Sequence, residues 1–106
     1  MAIGSGRILL IDENPARRWS AATLLILSGY SVLPLDCPEL HVTLLRSNYN
    51  WGVDLILLRA VLDSETENLL AGKLGDVPIQ KLSFASALDI NLPTMVDQLM
   101  RKRAGG

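Results

Sequence analysis

The stretch ILLIDENPARRWSAATLLILSGYSV, residues 8–32, reads as strand, helix and strand in succession. Ile8 to Ile11 form a short continuous apolar run with no polar alternation, the pattern of a parallel strand covered on both faces. The run, RILLID from Arg7, ends on an acidic pair, Asp12 and Glu13. Asn14-Pro15 follows, a capping side chain and then a proline at the first helical position, where its missing N–H costs nothing. The helix is expected over Pro15 to Ser28, and Gly29 supplies the C′ residue that ends it. The chain then extends again as SVLPL, Ser31 to Leu35.

Working outward, VDLILLR (Val53 to Arg59) is a second apolar run of the same kind, and VPIQKLSF (Val77 to Phe84) a weaker one. Pro34 and Pro78 assign the weaker strands to edges or strand starts, since proline cannot donate to a ladder. Helices are expected at Pro38–Ser47, with Leu40, Leu44 and Leu45 on one side, and at Ser64–Leu74. For the latter, Ser64 is the expected cap, Glu67 completes a capping box, and Gly75 is the stop. A last helix is expected over Pro93–Arg103, with Val96, Leu99 and Met100 facing inward. Strands alternating with helices at this spacing build βα units, right-handed crossovers and a parallel sheet.

Composition narrows the function. At 106 residues the chain suffices for one core and not two. Ten basic and eleven acidic side chains leave a net charge of −1, which argues against non-specific nucleic-acid binding. Arg101-Lys102-Arg103 is the one basic cluster, and it suits a solvated helix terminus. The single cysteine, Cys37, permits no internal disulfide and points to a reducing compartment. With His41 as the one histidine, a zinc site is not expected. No apolar run is long enough to span a membrane. A cytoplasmic domain over residues 7–103 is expected, with residues 1–6 a flexible leader and residues 104–106 a flexible end.

In an open α/β sheet, sites form beyond the carboxyl ends of the strands. Asp12 and Glu13 end the first strand, Arg59 the third, and Ser83 lies near the end of the fourth. At these residues the chain resembles the receiver domains of two-component response regulators. The resemblance runs ungapped through residues 8–32: acidic pair, Asn-Pro, an Arg three residues after the Asn, paired leucines, and Gly-Tyr-x-Val. It continues at VDLILLRA, where receivers read Asp-Leu-Ile-Leu-Leu-Asp, and at PIQKLSF, similar to the strand ending in the switch Ser or Thr. It covers roughly residues 7–84. It implies a three-layer, flavodoxin-like α/β sandwich with a parallel sheet of order 2-1-3-4.

In that family the acidic pair holds Mg²⁺, the strand-three aspartate accepts a phosphoryl group, and a hydroxyl and a lysine bind its oxygens. Asp12 and Glu13 match the acidic pair and Ser83 the hydroxyl, but the acceptor position is Arg59. A guanidinium forms no acyl phosphate and stays protonated at any relevant pH. It also opposes the metal. A unit charge at about 4 Å in an effective dielectric near 20 costs roughly 4 kcal/mol, and twice that against a divalent ion, unless the side chain swings away. Mg²⁺ binding is therefore expected to be weak or absent, and no other metal or cofactor is expected. Arg59 is expected to pair with Asp12 or Glu13 instead, or to bend into solvent.

The chain departs from the family in length as well. Only residues 84–90 separate Ser83 from NLPTMVDQLM, which resembles the family's final helix, and seven residues cannot hold a helix and a strand. The family's fourth helix is expected to be missing, with a vestigial fifth strand at Ala87–Ile90. In a second register Lys81 would be the pocket lysine and an earlier unit would be deleted. A third departure is an apolar stripe on the first helix: Trp19 and Ile26, seven apart, with Thr23 between them and Leu27 alongside. It reads either as extra burial of the helix or as a docking face.

The expected function is that of a degenerate receiver acting as a phosphorylation-independent protein-interaction module, either alone or as part of a longer regulator. The expected partner is a protein, a second copy of the chain included. The alternative is a small-ligand sensor that binds an anion or nucleotide through Arg59 in the carboxyl-end crevice. Asp12 and Glu13 would repel such an anion. No nucleophile–base pair assembles from these residues, so enzyme activity is not expected.

Overall fold

The structure, a computed structural model, describes residues 6–46, 52–83 and 91–105. In chain order the elements are β1 (Arg7–Asp12), α1 (Pro15–Leu27), β2 (Ser31–Leu35), α2 (Cys37–Arg46), β3 (Leu55–Arg59), α3 (Ser64–Leu74), β4 (Ile79–Lys81) and α4 (Leu92–Gly105). The four strands are parallel in the order β2-β1-β3-β4, as the sequence predicts. Both prolines fall at the periphery. Pro34 lies in the edge strand β2, and Pro78 precedes the edge strand β4.

Successive side chains of a strand point to opposite faces, so an uninterrupted apolar run serves two cores at once. Ile8, Leu10, Leu55 and Leu57 pack against Ala21, Ala22 and Leu25 of α1 and Leu92 and Val96 of α4. Leu9, Ile11, Ile56 and Leu58 pack against Leu40 and Leu44 of α2 and Leu70 of α3. Each large aliphatic side chain buried this way contributes about 1.5–3 kcal/mol. The two central strands therefore hold the three layers together.

Capping fixes where the helices begin. Asn14 is extended at its φ of −85°, and its Oδ1 accepts from the Arg17 N–H at 2.9 Å, as the Asn-Pro pair predicts. Gly29, at a φ of +99°, turns the chain out of α1. The α3 cap differs from expectation. Asp63, one residue before Ser64, accepts from the Thr66 N–H at 2.7 Å. A carboxylate there also meets the positive end of the helix dipole, which the Ser64 hydroxyl could not match. The Thr66 N–H first, then the Thr66 hydroxyl and nearby His41, lower the Asp63 pKa. That cap is complete above the ordinary carboxylate range and is lost as pH falls through the lowered value.

Several boundaries also differ from the sequence reading. β3 starts at Leu55 rather than Val53, because Asp54 is occupied at the strand start: its carboxylate accepts from the Arg7 N–H at 2.9 Å. β4 spans three residues rather than eight, since it pairs with β3 only from Ile56 to Leu58. α4 reaches Gly105, two residues past the expected end. The expected strand remnant at Ala87–Ile90 lies outside the described residues.

One polar contact on each face ties its elements together. On the α2–α3 side, His41 Nδ1 lies 2.8 Å from the hydroxyl of buried Thr66. On the α1–α4 side, the buried Tyr30 hydroxyl donates to Asp97. Burial first, and then that carboxylate, hold the phenol well above its ordinary pKa. Tyr30→Phe leaves the half-buried Asp97 without its donor and is expected to lower stability by about 2 kcal/mol. Urea unfolding of the two proteins at neutral pH measures it, and Asp97→Asn should recover part of the loss in the Phe background.

Candidate functional site

The pairing register sets the site. Asp12 and Arg59 are the last residues of the two central strands and lie directly opposite each other. Both are buried, Asp12 at 0% exposure and Arg59 at 1%, at the carboxyl edge of the sheet. Arg59 Nη1 lies 3.5 Å from Asp12 Oδ2. That is an ion-pair distance, longer than a formed hydrogen bond. The solvent-facing alternative for Arg59 is thus not the arrangement found.

The stronger partner of Asp12 is Arg17, which the sequence reading carried only as part of a motif. Its Nε donates to Oδ2 and its Nη2 to Oδ1, both at 2.7 Å, a bidentate fork. The Asn14 N–H donates to Oδ1 at 3.0 Å. Arg18 Nη1 reaches the Asp12 carbonyl oxygen at 2.8 Å. One carboxylate thus anchors the first turn of α1 to the end of β1 and also faces Arg59. The legible signal for Arg17 was its place in the first turn, whose side chains lean back toward the helix start and so toward the preceding strand end.

The remaining expected residues are more exposed than Asp12 and Arg59. Glu13 is exposed, and its carboxylate accepts a hydrogen bond from the Cys37 thiol at the start of α2. Of the two partners expected for Arg59, Asp12 is the one at ion-pair distance. Ser83 lies two residues beyond the end of β4 and is exposed. Lys81, the alternative pocket residue, stands opposite Leu58, one position short of Arg59, and is exposed. Trp19, Thr23, Ile26 and Leu27 are exposed on α1, which leaves the helix without the extra burial that was the other reading of its stripe.

Burial first, then Glu13 as acceptor and as a nearby charge, with Asp36 and Asp63 behind it, push the Cys37 thiol up to about 12. A thiol so raised is almost wholly protonated at neutral pH and is a poor nucleophile. Among the described residues no cluster of three or more His, Cys, Asp or Glu side chains is placed to hold a metal ion. A cavity of about 390 Å³ lies at the far end of the sheet, between the starts of β3 and β4 and Leu99 and Met100 of α4. No helix among the described residues is long and apolar enough to cross a membrane.

No family model and no curated protein matches the chain. Among solved structures it is similar to the receiver domain of the hybrid histidine kinase CckA. The identity is 24% and the TM-score 0.69, over 90% of this chain and 99% of that domain. It is also similar to a fusion protein carrying a yeast Spc42 trimeric coiled-coil segment. There the identity is 18% and the TM-score 0.63, over 98% of this chain and 84% of the other. The chain therefore has the receiver fold.

Breaking a buried pair costs more than replacing the ion that has a substitute. Asp12→Ala leaves two guanidinium groups without their shared anion and is expected to cost about 3–5 kcal/mol of stability. Arg59→Met keeps volume while Arg17 still neutralises Asp12, and is expected to fall within about 1 kcal/mol of the parent. Chemical denaturation of both variants measures the asymmetry. For Cys37, alkylation by iodoacetamide at pH 8 is expected to run at least about a hundredfold slower than in urea. Glu13→Gln should accelerate it about tenfold, which a timed mass spectrum reads directly.

Proposed function

We propose that this chain is a receiver-fold module that acts without phosphorylation, as a protein-interaction element held in one conformational state. The observation that carries this reading is Arg59, buried at the end of β3 and facing Asp12 across the register. In the receiver pattern that strand end bears the acceptor aspartate. A guanidinium offers no carboxylate oxygen to form an acyl phosphate, and it keeps its proton.

The metal that receivers use at this position does not fit the side chains present. Mg²⁺ takes carboxylate oxygens and water in a tight octahedron. Both oxygens of Asp12 already accept from Arg17, and Arg59 adds a second positive charge at 3.5 Å. Glu13 is turned toward Cys37. A divalent cation would have to displace a bidentate arginine and stand beside another. We read the two guanidinium groups as the permanent occupants of the metal and acceptor positions, so the receiver's switch has one setting.

The interaction role follows from what remains. A fold with, among the described residues, no acceptor carboxylate at the end of β3 and no activated nucleophile at its carboxyl edge supports binding rather than turnover. The ligand-sensor reading is less well supported: Arg59 is 1% exposed, so an incoming anion would have to open the cluster before reaching it.

Incubation with Mg²⁺ and acetyl phosphate, followed by intact-mass analysis, tests the reading. No phosphoryl adduct is expected, and titration calorimetry with Mg²⁺ should give no saturable heat at millimolar metal. A stoichiometric, base-labile adduct would sink the proposal, because some carboxylate would then be accepting phosphate despite Arg59.

A further inference from the structure

We infer that the outward face of α1 is the contact face of a homodimer, in which two copies of this helix pack antiparallel about a two-fold axis at Thr23. The inference rests on the interaction-module reading for its meaning, since it names the partner of that module.

An exposed helix of a globular domain ordinarily carries charge on the side away from the core. This one carries none. Ala16, Trp19, Ser20, Thr23, Ile26 and Leu27 are all exposed, and at 100° per residue they occupy one side of the helix, opposite buried Ala21 and Leu25. α1 has no acidic residue, and its two basic side chains turn back to the strand end. Arg17 goes to the Asp12 carboxylate and Arg18 to the Asp12 carbonyl. A charged partner surface finds nothing to pair with on this face, whereas a second uncharged copy loses no solvated charge by covering it.

The face is also self-complementary. Thr23 is small, and its hydroxyl is already committed to the Trp19 carbonyl oxygen at 2.8 Å, so contact at the centre strands no donor. Trp19 lies four residues before Thr23, and Ile26 and Leu27 three and four residues after it. Antiparallel pairing about Thr23 puts Trp19 of each copy about 6 Å from the axis, over the Ile26–Leu27 pair of the other. An indole set into a notch between two aliphatic side chains is the kind of anchor that dominates interfaces. A two-fold contact of this type is isologous and closes on itself without forming filaments.

Area sets the strength. Trp19 is 58% exposed, Ile26 53% and Leu27 80%. Together they present on the order of 400 Å² of apolar surface, within the range of the largest patch on a typical monomer, which is often functional. A standard interface buries roughly 800 Å² on each partner. The stripe would form the centre of such an interface with Ala16, Ser20 and Thr23 around it, which suits a reversible dimer of micromolar affinity.

Sedimentation equilibrium of the full chain in EDTA, from low-micromolar to several-hundred-micromolar concentration, tests the inference. The expected result is a concentration-dependent rise to twice the monomer mass, with Trp19→Glu raising the dissociation constant about tenfold or more. Because Trp19 is exposed, the variant should keep its circular dichroism spectrum. Should it unfold, cysteine cross-linking carries the test. In a Cys37→Ala background, Thr23→Cys should form an intermolecular disulfide under mild oxidation, and Ala16→Cys, displaced about 20 Å from its counterpart by the antiparallel arrangement, should not. A mass that stays monomeric, a dimer indifferent to Trp19→Glu, or equal cross-linking at both positions overturns the inference. None of these results bears on phosphotransfer, so a monomer that takes up no phosphate would refute the dimer alone. A dimer that is phosphorylated would refute the locked-receiver reading alone.

Discussion

The buried carboxylate of Asp12 is the constraint around which the carboxyl edge of this sheet is arranged. It ends β1, accepts two hydrogen bonds from Arg17 and one from the Asn14 N–H, and faces Arg59 on β3. A carboxylate with no solvent exposure is tolerable only when its charge and lone pairs are met. Here the fork of one arginine meets both oxygens, and a second arginine supplies charge without a formed hydrogen bond. The Arg17 side chain is 24% exposed, so water also solvates its charge. Arg59, at 1% exposure, faces the same carboxylate from β3.

This arrangement connects the arginine on β3 to the position of α1. An acidic cluster at this edge needs a cation to offset its self-repulsion, and a diffusible metal can be bound or released. A covalently attached guanidinium cannot leave. Bistability requires two arrangements within a few kcal/mol of each other. On the proposed reading, a buried pair expected to cost several kcal/mol to break would remove the second arrangement and keep the receiver fold as a scaffold.

Much of this was legible in the sequence, and the reasons differ by element. The sheet order and the central strands were readable because ILLI and LILL are uninterrupted, a pattern imposed by burial on both faces. The α1 boundaries were readable because Asn14, Pro15 and Gly29 act through local backbone chemistry that tertiary context seldom overrides. The α3 cap was misplaced by one residue, since Asp63 and Ser64 both cap well and the difference lies in charge against the helix dipole. At the site, the approach of Arg59 to Asp12 was readable as a charge that must be answered. The precedence of Arg17 was not, because it depends on the rotamer with which the first turn leans over the strand end. Asp12 and Glu13 were both open as partners of Arg59. Which of two adjacent carboxylates turns inward follows from strand alternation: Asp12 faces Arg59 in register, while Glu13 falls past the last pair.

The pocket and the outward face of α1 are best read as one physical unit. Arg17 and Arg18 would ordinarily serve as the solubilising charges of an exposed helix. Recruited to the carboxylate and the carbonyl of Asp12, they leave the rest of α1 with no charge at all. The outward face carries no charge of its own, and its tryptophan leaves apolar surface exposed to water, at a cost. Covering that surface offsets the cost. On the proposed readings, such a domain would regulate by concentration, through association, in place of phosphate.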